Sequence, residues 1–138
     1  MTSTATATQT RSVVVERELA FPPEKIWRAL TQGPLLEEWL MKNDFQPNVG
    51  HKFNFRGDWG AADCEVLTVE PNKSLSYTWA AFGLESVVTW TLTPIGKGTQ
   101  LRMEQSGFRQ DQQQAYQGAQ YGWQQFFANL EKVLARLG

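Results

Sequence analysis

From Ser12 the chain reads SVVVERELAF, in which Val13, Val15, Leu19 and Phe21 alternate with Val14, Glu16, Glu18 and Ala20. A period of two is that of a strand with one apolar face, and its parity puts Arg17 on that face. PPEKIWRALT follows, with prolines at a helix start, Glu24 in the first turn and Ile26, Trp27 and Leu30 at helical spacing. Gly33 and Pro34 end this helix, and PLLEEWLM restarts a second short one with Leu35, Leu36, Trp39 and Leu40 on a shared face.

HKFNF, AADCEVLTVE, SLSYTWAA, SVVTWTLT and TQLRMEQSGF are then separated by RGDWG, EPNK, FGLE and PIGKG. The separators are rich in turn formers, and the alternation of Leu75, Tyr77, Trp79 and of Val88, Trp90, Leu92 predicts an antiparallel meander. From Asp111 to Leu137 the period changes: Tyr116, Ala119, Trp123, Phe126, Phe127, Leu130, Val133, Leu134 and Leu137 make one stripe on a helix roughly 40 Å long. Gly118 and Gly122 interrupt it at about 1 kcal/mol each relative to alanine, which asks for a close approach by another element or a ligand. The first residues, MTSTATATQT, have almost nothing to bury. The expected organisation is a disordered tail over 1–11 and a single α+β domain over 12–138, the economical reading for 138 residues.

The order strand, two short helices, antiparallel meander, long C-terminal helix resembles the helix-grip fold of the START-like (SRPBCC) superfamily. ERELAFPPEKIWRALT, LLEEWL, VGHKFNF, EVLTVEPNKSLSYTW, WTLTPIGKGTQLRMEQSGF and YGWQQFFANLEKVL, in that order, are similar to the small bacterial proteins related to the C-terminal domain of the heat-shock protein 90 ATPase activator. The resemblance covers about residues 12–137 and implies a curved sheet wrapped around the long helix, with an apolar cavity between them. Arg17 matches an arginine often found at this place in the family's first strand, whereas Gln105 stands where many relatives carry histidine.

The charge balance removes several function classes. Thirteen Lys and Arg against fourteen Asp and Glu give a net charge of −1, so no positive field gathers nucleic acid. No apolar run approaches the roughly 20 residues of a membrane span, and no basic, apolar leader opens the chain. A lone cysteine, Cys64, excludes an internal disulfide and fits a cytoplasmic protein. One His and one Cys cannot supply the usual zinc ligands, and GKGT lacks the spacing of a phosphate-binding loop, so neither metal nor cofactor is expected.

What is unusual is the aromatic content: six Trp, eight Phe and three Tyr. The densest stretch, WLMKNDFQPNVGHKFNFR over 39–56, also holds the only histidine. A general base needs an orienting partner, and VGHKFNF gives His51 no carboxylate on its own face, so a structural role is the simpler one. Cys64 has no neighbouring cation to lower its pKa. Asp63 with Glu65, and Glu37 with Glu38, read as solvated surface. No catalytic residue is therefore assigned.

Arg17, Trp39, Phe53, Phe55, Tyr77, Trp79, Trp90, Met103, Gln105, Tyr116, Trp123 and Phe127 are the expected ligand-binding set, by strand parity and helical phase. For Arg17 two roles stay open: an ion pair to a carboxylate such as Glu104, or the polar anchor of an otherwise apolar ligand. An empty apolar cavity of roughly 300 Å³ would cost on the order of 7 kcal/mol. Such a space persists only if used, hydrated or filled by side chains, and the residue 39–50 loop is the expected lip. The function that follows is a binding module for a small hydrophobic or aromatic molecule. The alternatives are a co-chaperone-like partner of heat-shock protein 90, implied by the resemblance, and a polyketide-type cyclase or hydrolase.

Overall fold

The computed structural model describes residues 10–137. Strand β1 (Thr10–Leu19) is followed by helices α1 (Pro23–Thr31) and α2 (Gly33–Trp39), a short strand β2 (Lys42–Asn43) and strand β3 (Lys52–Gly57). Strands β4 (Gly60–Glu70), β5 (Ser74–Ala81), β6 (Leu84–Ile95) and β7 (Gly98–Arg109) then lead to helix α3 (Gln113–Arg136). The seven strands form one antiparallel sheet in the order β1-β7-β6-β5-β4-β3-β2. Every neighbour is a chain neighbour except β1, which the two short helices carry to the far edge beside β7.

The helix starts follow from proline. Pro22 caps α1 in extended conformation with Pro23 at the first position, and Gln32 closes α1 while opening α2, where Pro34 again sits in the first turn. The two helices are tied by the Trp39 indole, whose Nε1–H donates to the Ala29 carbonyl at 2.9 Å. The β1–β7 ladder shifts register between Arg11 and Ser12, leaving Gly107 unpaired. Gly107 has φ of +114°, and a Cβ there would lie 2.7 Å from the Glu85 carbonyl oxygen. Only glycine fits that bulge.

The expected curved sheet and long gripped helix are present, with the inner face running through Val13, Val15, Phe53, Phe55, Leu75, Tyr77, Val88, Trp90, Leu101 and Met103, all buried. The α3 stripe against it consists of Trp123, Phe127, Leu130, Val133 and Leu134. Three boundaries differ from expectation. β1 begins at Thr10, paired to Arg109, so Thr10 and Arg11 belong to the sheet rather than to a tail; the rest of that segment, 1–9, lies outside the described residues. β2 is two residues long, too short to leave a periodic signal, and is held by pairing to Arg56 and Phe55. Helix α3 starts at Gln113, after Gln112, rather than at Asp111.

Arg17 does occupy the inner parity of β1, at the sheet edge. Its guanidinium donates to Glu131 of α3 at 2.9 Å and to Gln124, and lies 5.6 Å from the Phe127 ring centroid. The expected partner Glu104 is excluded by the same parity: it projects to the outer face beside Val14 and binds Arg102 at 3.0 Å. That bond is the chief cause holding the Glu104 carboxyl below its ordinary pKa.

Candidate functional site

The first three turns of α3 carry no buried residue; burial begins at Trp123. Only Tyr116 and Ala119 of those turns pack on the core, both half-buried. Tyr116 faces the β1–β7 side, its ring edge-on to Phe108 at 5.5 Å and its hydroxyl 3.4 Å from the Ser12 carbonyl. On the other side a groove of about 560 Å³ opens between α3 and the β5–β6 hairpin. This size falls in the range of small-molecule sites.

Trp79, Trp123 and Gln105 form the floor, with Ala119, Gly122 and Phe126 of α3 along one wall and Ala81, Phe82 and Leu84 along the other. Met41 and Trp59 complete the mouth. The floor is rigid because its rings belong to a continuous aromatic chain. Trp39 meets Trp90 at 5.8 Å between centroids, Trp90 meets Trp123 at 5.7 Å, Trp123 meets Trp79 at 5.8 Å and Trp79 stacks on Phe55 at 5.3 Å. Each ring fixes the next.

Gln105 is the polar centre of that floor and is 3% exposed. Its Oε1 accepts from the Trp123 indole at 2.7 Å, its Nε2 donates to the Ser86 hydroxyl at 3.0 Å, and that hydroxyl donates to the Trp79 carbonyl at 2.8 Å. A carboxamide has two N–H donors and two acceptor lone pairs, so these bonds use one of each. The network fixes the Trp123 indole and ties it to the Trp79 backbone.

The expected ligand-binding residues separate into groups. Trp79, Gln105 and Trp123 line the groove. Trp39, Phe53, Phe55, Tyr77, Trp90, Met103 and Phe127 are closed into the core, because large rings on facing strands and helix fill the space the resemblance left for a cavity. Arg17 is engaged by Glu131, a turn or more along α3 from the groove, and Tyr116 faces away from it. The expected lip over 39–50 is corrected as well. Only Met41 reaches the groove; Phe45 packs on Phe53 at 5.1 Å, and the Gly50 amide bonds the Val66 carbonyl at 2.8 Å, folding the loop onto the sheet. His51 Nε2 meets the Asp44 carbonyl at 2.9 Å, and its ring stacks with Phe53.

The large apolar groove residues that sequence pattern did not single out for binding are Met41, Trp59, Phe82, Leu84 and Phe126. A signal was present for Phe82: FG stands at a hairpin tip where asparagine would be ordinary. Gly122, whose added Cβ would meet no protein atom within 4 Å, keeps the groove wall low.

Two titratable groups behind the groove are held protonated by burial. Tyr77 is wholly buried, its hydroxyl accepts from the Trp90 indole at 3.0 Å, and burial pushes its pKa up. Burial also lifts the Cys64 thiol to about 12, with the charges of Asp63 and Asp44 adding to the rise. Asp111, at the groove rim, is paired with Arg109 at 3.2 Å. Among the described residues no group of three His, Cys, Asp or Glu is placed to hold a metal ion, and no helix is long and apolar enough to cross a membrane.

Residues 20–135 match the model of a protein family described as Activator of Hsp90 ATPase homolog 1-like protein. Among solved structures, the chain is similar to protein MLL2253 from Mesorhizobium loti, at 64% identity over 93% of this chain and 99% of that one, with a TM-score of 0.90. It is also similar to DynU16, a protein of the dynemicin biosynthetic locus, at 25% identity over 91% of this chain and 47% of that one, with a TM-score of 0.82. The Aha1 dimer from Colwellia psychrerythraea shares the fold, with a TM-score of 0.81 at 22% identity over 90% of this chain and 96% of that one. No curated protein matches the sequence.

Proposed function

The chain belongs to the family of Activator of Hsp90 ATPase homolog 1-like proteins, and from that premise we propose that it is a binding protein for a small hydrophobic or aromatic molecule. The guest sits in the groove beneath the first turns of α3. The observation that carries this reading is the groove floor: two buried tryptophans flanking a buried carboxamide with one donor and one acceptor to spare. An apolar site with few fixed polar groups is the usual composition of a small-molecule pocket. The neighbouring DynU16 comes from a biosynthetic locus, which is in keeping with a small organic guest. We place the binding in the cytoplasm, where a lone reduced cysteine is ordinary.

The test is a protein-observed NMR screen of aromatic metabolites and lipids, read at the indole N–H signals and followed by titration of the hits against Gln105→Leu. Saturable shifts at the Trp79 and Trp123 indoles are expected. The substitution should weaken the guest up to about tenfold by removing one hydrogen bond. It should also cost about 1–3 kcal/mol of stability, because the Trp123 N–H is left without an acceptor. A screen without a saturable response at either indole sinks the reading.

A polyketide-type reaction finds no acid–base pair in the groove lining, where Asp111 is the one charged residue among those described. The co-chaperone reading has the family description as its support. An unchanged ATPase rate of the ninety-kilodalton chaperone in this protein's presence removes it.

A further inference from the structure

Phe82 and Gly83 make the two-residue connection between β5 and β6, with Ala81 paired to Leu84. Their φ angles are 50° and 83°, both positive, as a type I′ turn requires. Asparagine tolerates the first of these positions; a bulky side chain there is strained. Burial does not compensate, since Phe82 is 80% exposed. The fold alone therefore gives no reason for phenylalanine at this tip.

The ring is nevertheless held in one place. Gly60, at φ +132°, lies against it so closely that a Cβ would come 3.0 Å from Phe82 Cζ. Trp59 meets it at 5.8 Å between centroids, and the Trp59 indole donates to Met41 Sδ at 3.1 Å. The turn is also pinned to the start of α3, where the Gln112 side-chain amide donates to the Gly83 carbonyl at 3.2 Å. Phe82 and Trp59 are exposed groove residues and Met41 a half-buried one beside them, lining the same groove as Trp79 and Trp123.

We infer that Phe82, backed by Trp59, is the specificity-determining aromatic rim of the groove floored by Trp79 and Trp123, and that its guest is an uncharged aromatic molecule. The inference rests on the binding function proposed above and names the guest's class. The rings are set at angles, Trp79 to Trp123 at 59° and Trp59 to Phe82 at 61°, so they offer a guest both face and edge contacts, which favour an aromatic one. The absence of charge follows from the lining: among the described residues it contains no lysine or arginine, and its one carboxylate, Asp111, is neutralised by Arg109. An ionic guest would shed hydration there without gaining a free counter-charge.

The experiment titrates the full chain with 2-naphthol, 2-naphthoate and 2-naphthylmethylammonium, read by tryptophan fluorescence. It is repeated for Phe82→Asn and Phe82→Leu, each variant also being melted thermally. The neutral naphthol should bind about tenfold or more tighter than either ion. Phe82→Asn should weaken it severalfold while raising Tm, because asparagine relieves the turn. Phe82→Leu keeps the strain and loses the ring, so it should lose affinity with no rise in Tm. Naphthol binding unchanged in both variants, or naphthoate binding tighter than naphthol, overturns the inference while leaving the groove a binding site. No binding of any naphthalene probe to the wild type overturns this inference, and the wider screen above then decides the binding function.

Discussion

Cys64 sits on the inner parity of β4 with its thiol 3.7 Å from the Ala62 carbonyl and almost no exposure. Its pKa is lifted by burial from an ordinary 9.0 to about 12. In the unfolded chain the thiol ionises near its ordinary value, while in the native protein it keeps its proton. Stability is therefore undiminished below that ordinary value and declines between about 9 and about 12, by up to about 1.4 kcal/mol per pH unit from this group alone. Urea melts at about pH 8 and about pH 10 should show that loss in the wild type and a smaller one in Cys64→Ala. The same burial predicts that an aromatic disulfide reagent reacts with native protein only at the rate of unfolding. Fast labelling under native conditions would contradict the placement of the thiol. His51 gives the complementary case, an aromatic ring with catalytic credentials whose bond to the Asp44 carbonyl and stacking on Phe53 serve the loop.

Within α3, two glycines that look alike in sequence separate by position. Neither Gly118 nor Gly122 has a protein atom within 4 Å of an added Cβ, but only Gly122 lines the groove. Alanine at either site should stabilise the helix by about 1 kcal/mol. Gly118→Ala should leave guest affinity unchanged, whereas Gly122→Ala should lower it severalfold by raising the wall. Equal affinity for both variants would place the guest elsewhere. The elements themselves were legible because each obeys one period: alternation in β5 and β6, a three-and-four spacing in the buried half of α3. That period could not separate rings that fill the core from rings that floor a groove. Trp90 and Trp79 share a face and a chemistry, and they differ by how far α3, a helix that begins at Gln113, covers them. The rim was hidden for another reason: Phe82 and Trp59 lie on hairpin tips, where parity has no meaning.

Across the whole molecule, the two ends of α3 are held by different means. The C-terminal end is packed through Leu130, Val133 and Leu134 and clamped to β1 by Arg17 and Glu131, an ion pair about one-third to one-half exposed and so worth little by itself. The N-terminal end rests on Tyr116, covered by the Arg11 guanidinium at 4.0 Å from its ring centroid, and on the Gln112 bond to the β5–β6 turn. Few buried apolar contacts mean a low local opening free energy. Amide hydrogen exchange should therefore be faster over residues 113–122 than over 123–136, and slowest in the central strands β5, β6 and β7, which are paired on both sides. A guest held in the groove would bridge this loose end to the hairpin, so binding of 2-naphthol should slow exchange over 113–122 and 81–84. β1, which the groove does not touch, should change little. Protection spread evenly over all elements would mean that the probe stabilises the fold as a whole without bridging these segments, and the groove would lose its standing as the place where the guest is held.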